Sequence, residues 1–346
     1  MSVRKIETPF TKLIGCRYPI IAGPMFLVSD AILVSEVSKA GGLGAMPSLN
    51  WWTTDEFRQA VRDVKSRTDR PFAVNIIVNQ ANPRVKKDLE VCVEEKVPVV
   101  ITSLGNPKDV IKQMHTIGSK VFCDVTNLEY ALKVQAMGAD GVIAVSAGAG
   151  GHAGPISPLV LIPYLKKHLK IPVIAAGGIA TGEQMAATLL LGAAAVQIGT
   201  RFIASQEAKV DQAYKNAILK AAPEDIWLTE KVSGTPCAVI KTPYIEKIGT
   251  QLNFVERALI HNPRTKKYFK MARAYLGSET LKKAILGPTW KEVWSAGQGV
   301  GLIDDVMPAG KIVERLVEEY MAAVEGFSIS AKPVLKKERP VLPSQG

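Results

Sequence analysis

The sequence Gly-Ala-Gly-Gly-His-Ala-Gly, residues 148–154, follows the apolar run 141–146 and contains one of the four histidines of the chain. A second glycine stretch, Ala-Ala-Gly-Gly-Ile-Ala-Thr-Gly, lies at 175–182, and Gln-Ile-Gly-Thr-Arg-Phe follows at 197–202. Glycine loops at strand ends expose backbone N–H groups that can bind a phosphate, and a histidine among them is placed to move protons. Together the three stretches predict a barrel enzyme with a phosphorylated cofactor.

Outward from these stretches, short apolar runs rich in β-branched residues recur along the chain, with helix-like segments between them. Such runs are typical of strands buried on both faces of a parallel sheet. Eight of them close naturally into a (β/α)8 TIM barrel, an α/β fold. The predicted strands are 19–23, 43–48, 72–78, 97–104, 120–126, 141–146, 172–178 and 195–200.

Helices are predicted between the strands, including those at 55–65, 107–114, 128–137 and 183–191. Thr54 and Asn127 are the expected N-caps of the first and third of these, and Pro107 is expected in the first turn of the second. A doubly wound open sheet is the alternative architecture. It requires Gly-x-Gly-x-x-Gly after the first strand, where this chain has Pro-Met-Phe-Leu at 24–27.

The chain divides into a cofactor-binding barrel, an insertion, a return segment and a tail, predicted at 1–204, 205–300, 301–326 and 327–346. The insertion is longer than a single βα connection and is expected to form a mostly helical subdomain over the barrel mouth, with helices at 253–260 and 263–276. The return segment is expected to contain an amphipathic helix at 309–324. The tail is polar and rich in Pro and Lys, which predicts loose order.

The 346-residue chain is 47% hydrophobic, enough for a large buried core, and its net charge is +11. The basic residues are spread out, with no aromatic-rich platform and no zinc-finger spacing. The charge therefore favours solubility over nucleic-acid binding, and it suits an anionic small substrate or an acidic protein that carries one. No apolar run is long enough to span a membrane, no secretory signal is present and the four cysteines are scattered, so we expect a cytoplasmic protein.

The ends of the last two predicted strands contain the candidates for a phosphate site: Gly177, Gly178, Gly199 and Thr200. Phosphate sites in barrels often follow strands seven and eight. There glycine lets the backbone approach the phosphate, and the next helix offers free N–H groups. The alternative is that these glycines only make tight turns.

His152 is the candidate catalytic residue. An imidazole titrates near neutral pH, which suits general-base catalysis, and the glycines around it leave room for a ligand. The alternative is a hydrogen-bonded loop histidine without a chemical role, and the other three histidines are expected at the surface. No His-x-x-x-His or Glu-x-x-His pattern indicates a metal site, and no Gly-x-Ser-x-Gly elbow indicates a hydrolase.

Asn75 lies inside an apolar predicted strand, where a buried amide needs partners. It either bridges polar groups within the barrel or binds a cofactor ring. Trp51 and Trp52 follow the second strand, and they either wall a substrate pocket or pack at the start of a helix.

The expected cofactor-binding residues are Ala22, Gly23, Pro24, Met25, Asn75, Asp124, Ser146, Ala149, Gly150, Gly151, Gly177, Gly178, Gln197, Gly199 and Thr200.

These motifs resemble those of the nitronate monooxygenase family, formerly called 2-nitropropane dioxygenases. Members are FMN-dependent TIM barrels with an inserted helical domain. The resemblance runs from Pro9 to about Asp305. It rests on Pro-Ile-Ile-Ala-Gly-Pro-Met (19–25), Ala-Gly-Gly-Leu-Gly (40–44), Phe-Ala-Val-Asn (72–75), Ala-Gly-Gly-His-Ala-Gly (149–154), Ala-Ala-Gly-Gly-Ile-Ala (175–180), Gln-Ile-Gly-Thr-Arg-Phe (197–202) and Trp-Ser-Ala-Gly-Gln-Gly (294–299).

The resemblance implies that His152 is the catalytic base, that the glycines after the last two strands and Thr200 hold the FMN phosphate, and that Asn75 and the 22–25 loop contact the isoalloxazine ring. The chain departs from the family pattern twice. It has Ala-Gly-Pro-Met at 22–25 where many relatives have Gln-Gly-Gly-Met, and Asp124 where many have lysine or glutamine.

The resemblance also implies a reaction in which FMN accepts an electron from a nitronate and O2 completes its oxidation to a carbonyl compound and nitrite. A neutral nitroalkane would first lose its α-proton. One alternative is an NAD(P)H-dependent flavin reductase that acts on quinones or on enoyl thioesters, for which the charge would suit an acidic acyl carrier protein. The other is a phosphate-binding barrel without redox chemistry.

Overall fold

Eight parallel strands close into a barrel in the computed structural model, which describes residues 5–79, 82–231, 236–251 and 293–330. The first and last barrel strands pair through Ile21 and Gln197, so the sheet has no open edge. The predicted TIM barrel is confirmed, with every strand somewhat shorter than predicted. The barrel strands are β1 (Ile20–Ala22), β2 (Leu43–Pro47), β3 (Phe72–Ile77), β4 (Val99–Ser103), β5 (Lys120–Val125), β6 (Gly141–Val145), β8 (Val173–Ala176) and β9 (Ala195–Ile198), while β7 (Gly151–His152) lies outside the barrel.

Helices surround the barrel because the segments between strands carry apolar residues at helical spacing. In α3, for example, Phe57, Val61 and Val64 form a fully buried stripe. The helices are α1 (Pro9–Ile14), α2 (Ala31–Lys39), α3 (Thr54–Arg67), α4 (Val85–Glu94), α5 (Lys108–His115), α6 (Leu128–Ala136), α7 (Pro158–His168), α8 (Gly182–Leu190), α9 (Thr200–Ile203), α10 (Gln212–Lys220), α11 (Pro243–Ile248) and α12 (Ala309–Ser330).

The helix caps follow the prediction in part. Asn127 caps α6 as predicted, since its side chain accepts the N–H of Tyr130. The cap of α3 is Thr53 rather than Thr54, because the Thr53 hydroxyl and the Glu56 carboxylate each accept the other residue's backbone N–H. Pro107 is the N-cap of α5 and does not lie in its first turn.

The barrel interior is apolar toward the amino ends of the strands and polar toward their carboxyl ends. Phe122 of β5 points inward and packs against Phe10 of α1 with ring centroids 5.8 Å apart, so α1 closes the amino end. Side chains two residues apart on a strand share a face, and the next inward position of β5 is therefore Asp124. The same alternation directs three more polar residues inward near the carboxyl end: Asn75, Ser103 and Gln197.

A second sheet, of three antiparallel strands, joins the insertion to the loop after β6. Its strands are β10 (Ile226–Thr229), β11 (Cys237–Ile240) and β7. The described part of the insertion thus contains strands beside α10 and α11, whereas the sequence predicts mostly helix. The predicted helices at 253–260 and 263–276 lie outside the described residues.

The chain returns to the barrel and ends its described part in α12, which packs against α2 and α8. Glu319 of α12 accepts the N–H of Gly182 at 2.7 Å. The buried guanidinium of Arg201 donates to the backbone carbonyl and the carboxylate of Asp305 at 3.0 and 2.8 Å. Helix α12 runs past the predicted end at 324 to Ser330, while 331–346 lie outside the described residues. In the described ranges no helix combines the length and the apolar character that crossing a membrane requires.

Candidate active site at the carboxyl end of the barrel

Two glycine loops, those after β6 and β8, meet at the carboxyl end of the barrel. A Cβ on Gly148 would lie 3.5 Å from the Cα of Gly178, and a Cβ on Gly177 would lie 2.7 Å from Oγ of Ser146. The second distance is too short for any side chain, so the close approach of the loops explains the glycine. The structure therefore brings together two of the glycine stretches, the one that contains His152 and the one that contains the predicted phosphate site after β8.

The loop after β8 is held by Gln184 of α8, a residue that the sequence did not single out. Gly177 and Gly178 have φ values of +128° and +71°, in the left-handed region that favours glycine. Gln184 donates from Nε2 to the Gly178 carbonyl at 2.8 Å, and its Oε1 accepts the N–H of Ala180 at 2.7 Å. Within the described residues, the N–H groups of Gly178 and Ile179 donate to no backbone carbonyl, so they are available to an anion.

The sequence signal for Gln184 was its spacing from Thr181. Threonine followed three residues later by glutamine is a capping box, and both hydrogen bonds of the box are present at the start of α8. The Gln184 amide thus completes the cap of α8 and also hydrogen-bonds to the glycine loop after β8. Only the structure shows the second of these contacts.

The loop after β9 leaves open space at Gly199. A Cβ there would have only the Met25 side chain nearby, with the sulfur 3.7 Å away. Helix α9 begins at Thr200, whose hydroxyl accepts the N–H of Gly297 at 2.9 Å and keeps its own proton to donate. Because β8 and β9 are neighbours in the barrel, Thr200 and the free N–H groups after β8 lie at adjacent strand ends.

The segment 295–299, at the end of the insertion, crosses over the glycine loops. The N–H of Gln298 donates to the carbonyl of Gly148 at 3.0 Å, and a Cβ on Gly150 would lie 2.7 Å from the nitrogen of Gly297. Gly299 approaches Gly178 in the same way, since a Cβ on Gly299 would lie 3.1 Å from the Gly178 carbonyl oxygen. In the sequence alone, this stretch stands out only as part of the family resemblance. Its repeated glycines were the signal for close packing on another glycine loop.

His152 lies in β7, where its backbone is opposite Cys237 of β11. The residue is exposed, but the surrounding protein removes part of the hydration of the ring and lowers the pKa of the imidazole below its usual value near 6.5. The ring is therefore mostly neutral at pH 7, which is the form that accepts a proton.

Polar side chains of three neighbouring strands form a hydrogen-bond chain inside the carboxyl end of the barrel. Asn75 donates to Ser103 at 2.7 Å, and Ser103 donates to Asp124 at 2.5 Å. Burial raises the pKa of Asp124 to about 6, although the hydrogen bond from Ser103 opposes the shift. Oδ1 of Asp124 and Oε1 of Gln197 are buried and have no hydrogen-bond partner within the described part of the chain.

The loop after β1 is fixed by two residues that sequence reasoning missed, Ser29 and Asn50. The Ser29 hydroxyl donates to the Gly23 carbonyl at 3.2 Å and accepts the N–H of Met25 at 3.0 Å. Asn50 accepts the N–H of Leu27 and donates to the Ser29 carbonyl, both at 2.8 Å. The loop that carries Pro24 and Met25 is thereby held beside β9, where Gly23 donates to the Ile198 carbonyl.

Other expected site residues have structural contacts. The buried Ser146 hydroxyl donates to the Ala176 carbonyl at 2.7 Å and so connects β6 to β8. Ala22 and Ala149 are buried. Trp51 packs against Phe57 of α3 with ring centroids 6.0 Å apart, whereas 53% of Trp52 is exposed.

Comparisons with known proteins identify the family of the chain. The family model described as nitronate monooxygenase matches residues 7–88 and 82–319. The chain is 31% identical to a protein of Mycobacterium tuberculosis named (3aS,4S,5R,7aS)-5-hydroxy-7a-methyl-1-oxo-octahydro-1H-indene-4-carboxyl-CoA dehydrogenase, over 94% of this chain and 99% of that one.

Solved structures that are similar over nearly the whole chain include the following two. FabK from Thermotoga maritima is 35% identical, with a TM-score of 0.81 over 94% of this chain and 100% of that one. A nitroalkane oxidase from Streptomyces ansochromogenes is 27% identical, with a TM-score of 0.76 over 92% of this chain and 100% of that one. The family model matches most of the chain, and the chain folds as a closed barrel. This oxidoreductase therefore belongs to the nitronate monooxygenase family.

Proposed function

We propose that the protein is an FMN-dependent oxidoreductase that oxidises nitronates and nitroalkanes with O2. The observation that carries the proposal is the placement of a largely neutral histidine, His152, in the glycine loop that packs on the loop with free N–H groups after β8. A proton acceptor and an anion cradle thus lie at one end of one barrel. That combination suits a phosphorylated cofactor and a substrate with an acidic C–H bond.

FMN fits the residues at this end of the barrel. Gly178 and Ile179 offer N–H groups without a backbone acceptor in the described ranges, and Gly199 leaves room for phosphate oxygens. The buried, unpartnered oxygens of Asp124 and Gln197 need hydrogen-bond partners, which a ring with both donors and acceptors supplies. A single phosphate-type site without a dinucleotide fingerprint favours FMN over FAD.

The cofactor contacts follow from this placement. The phosphate would be held by Gly177, Gly178, Gly199 and Thr200, and the ring would be contacted by Met25, Asn75, Asp124 and Gln197. FMN supplies the redox chemistry when bound, passing electrons from the substrate to O2. The chain itself binds, orients and moves a proton.

His152 performs the proton transfer. Its neutral imidazole accepts the α-proton of a nitroalkane, which converts the substrate into the nitronate, and with a preformed nitronate the same ring orients the anion. In the net reaction, two nitronates and one O2 give two carbonyl compounds and two nitrite ions. Carbon is oxidised and O2 is reduced, so the reaction balances without another reductant.

The experiment that tests the proposal is anaerobic rapid mixing of the yellow protein with either a nitronate or NADH. We expect bleaching of the flavin absorbance by the nitronate within turnover time, and nitrite formation when O2 is admitted. Fast bleaching by NADH together with no response to nitronates would contradict the proposal. A colourless protein that cannot be reconstituted with FMN would contradict the cofactor assignment itself.

A second candidate function is oxidation or reduction of a thioester-activated substrate. The similarity to a protein named as a carboxyl-CoA dehydrogenase favours it, and the net charge of +11 suits the phosphates of coenzyme A or an acidic acyl carrier protein. The α-carbon of a thioester also carries an acidic proton, so His152 would keep its role. Flavin bleaching by an acyl-CoA or NADH, but not by a nitronate, distinguishes this candidate from the first.

A further inference from the structure

The hydrogen-bond chain of Asn75, Ser103 and Asp124 has a fixed direction. The Ile101 carbonyl can only accept, so the amide group 3.2 Å from it is Nδ2 of Asn75. The same Nδ2 donates its second proton to Oγ of Ser103 at 2.7 Å. Ser103 then donates its own proton to Oδ2 of Asp124 at 2.5 Å. The chain therefore runs from β3 through β4 to β5, and every donor in it is used.

This direction makes the two oxygens of Asp124 different. Oδ2 accepts from Ser103, whereas Oδ1 is buried and without a partner in the described residues. A proton on the carboxyl group belongs on Oδ1, because a proton on Oδ2 would oppose the one from Ser103. Both amide protons of Asn75 are also used, so this residue can offer only its own carbonyl oxygen to a ligand.

The surroundings of Asp124 do not favour a negative charge. Burial raises its pKa to about 6, and only the hydrogen bond from Ser103 opposes that shift. The titratable groups that interact with it are Cys123 on the same strand and Tyr130 on α6, and burial raises the pKa of each, so both are neutral at pH 7. Ile143 lies opposite it on β6. Among the described residues, no cation contributes to its ionisation.

We propose that Asp124 binds the flavin ring as a neutral carboxylic acid, donating the proton on Oδ1 to a ring acceptor while the Asn75 carbonyl oxygen accepts a ring N–H. The inference rests on the proposed FMN function. The pyrimidine edge of the flavin places an N–H beside carbonyl oxygens, which matches one acceptor beside one donor. An ionised Asp124 would instead set a buried charge against a carbonyl oxygen, and an unpaired buried acceptor is costly.

Proton uptake during FMN binding tests this inference. At pH 7 the free protein has Asp124 mostly ionised, since its pKa is about 6, and the complex has it neutral. Titration calorimetry of flavin-free protein with FMN, in two buffers of different ionisation enthalpy, counts the protons taken up. We expect the wild type to take up close to one proton more than Asp124→Asn, which keeps the shape without titrating. The FMN phosphate also titrates near pH 6, but its contribution is common to both proteins and cancels in the difference.

The dissociation constants give a second measure. The ratio of the wild-type constant to that of Asp124→Asn should rise between pH 6 and pH 8, by up to about tenfold per pH unit. Ser103→Ala removes the hydrogen bond that lowers the pKa of Asp124, so more of the free protein is already protonated. Proton uptake by this variant at pH 7 should be smaller than that of the wild type.

Equal proton uptake by the wild type and Asp124→Asn, or a ratio that stays level or falls with pH, overturns the inference but leaves FMN binding intact. Failure of the wild type to bind FMN overturns the proposed function, and the inference with it. If Asp124→Asn does not fold, infrared difference spectra of FMN-bound minus free wild type at pH 8 decide the question. The carbonyl band of a protonated carboxyl group is expected there, and its absence overturns the inference.

Discussion

The backbone of His152 lies directly opposite that of Cys237, in the antiparallel ladder between β7 and β11. The candidate base is therefore held by two parts of the chain, the loop after β6 and a strand of the insertion. The N–H of Ile240 in β11 also donates to the carbonyl of Trp294, at 2.8 Å. Because the ladder uses only backbone groups, a substitution at His152 removes the imidazole and leaves this attachment in place.

His152→Ala should keep FMN but lose activity with neutral nitroalkanes, where a proton must leave carbon. Loss of a general base typically costs about 10²–10⁴-fold in rate. Preformed nitronates need no such base, so their oxidation should fall far less. Initial rates of nitrite formation from the two substrate forms, measured at equal flavin content, check the expectation.

The matched control for this variant is His168→Ala, which removes an exposed histidine of α7. It should leave both rates unchanged. Equal losses with nitroalkane and nitronate in His152→Ala would assign His152 a binding role instead of proton transfer.

The pH profile should reflect the lowered pKa of His152. The imidazole is a base only when neutral, so kcat/KM for a nitroalkane should rise with pH through an apparent pKa below about 6.5 and stay level above it. With a preformed nitronate this limb should be absent. Initial rates between pH 4.5 and 8 provide the measurement, and a limb that lies above pH 7 would contradict the assignment.

Gly199→Val should lose FMN while the barrel stays folded. The backbone at Gly199 has φ of −105°, which any residue adopts, and a Cβ there contacts only the Met25 side chain at 3.7 Å. A β-carbon therefore has room in the protein, whereas phosphate oxygens in that space would clash with it. Flavin content per chain, measured beside circular dichroism and the melting temperature, checks both halves of the expectation.

Gly310→Ala serves as the control for Gly199→Val. Gly310 lies at the start of α12, and its Cβ would have a single ordinary contact at 3.8 Å. That variant should bind FMN as the wild type does. Full flavin occupancy in a folded Gly199→Val protein would contradict the placement of the phosphate beside Gly199.

The barrel could be predicted because its strands are buried on both faces and read as continuous apolar runs bounded by polar or glycine residues. The position of His152 relative to the strands followed from the same pattern. The three-stranded sheet could not be predicted in this way, because Gly151–His152 is two residues long and pairs with a strand far along the chain. A two-residue strand carries no periodicity, and its pairing partner is set by the fold.

The hydrogen-bond chain at Asn75 shows a similar limit. The sequence identified a polar residue in an apolar strand and left open whether it bridges the barrel or binds a ring. The structure shows that its amide protons make the bridge, to Ile101 and Ser103, while its carbonyl oxygen has no hydrogen-bond partner among the described residues. Ser103 and Asp124 were at predicted strand ends, but their contact depends on the register between β4 and β5, in which Thr102 lies opposite Cys123.

Asp124→Asn should stabilise the flavin-free protein at neutral pH and not at pH 4. Asp124 titrates at a pKa of about 6 in the folded state and near 3.8 when unfolded, so the folded state binds more protons between these values. Stability therefore falls as pH rises through this window and stays reduced above it, by up to about 3 kcal/mol. Asparagine carries no charge to bury. Urea unfolding should therefore show a difference in the free energy of unfolding between variant and wild type that grows from near zero at pH 4 to its full size at pH 7.

Asp69→Asn is the control, since 92% of that side chain is exposed, and it should show no such growth. A constant difference across the pH range would mean that Asp124 is not held in the unfavourable environment that its buried, unpartnered Oδ1 indicates.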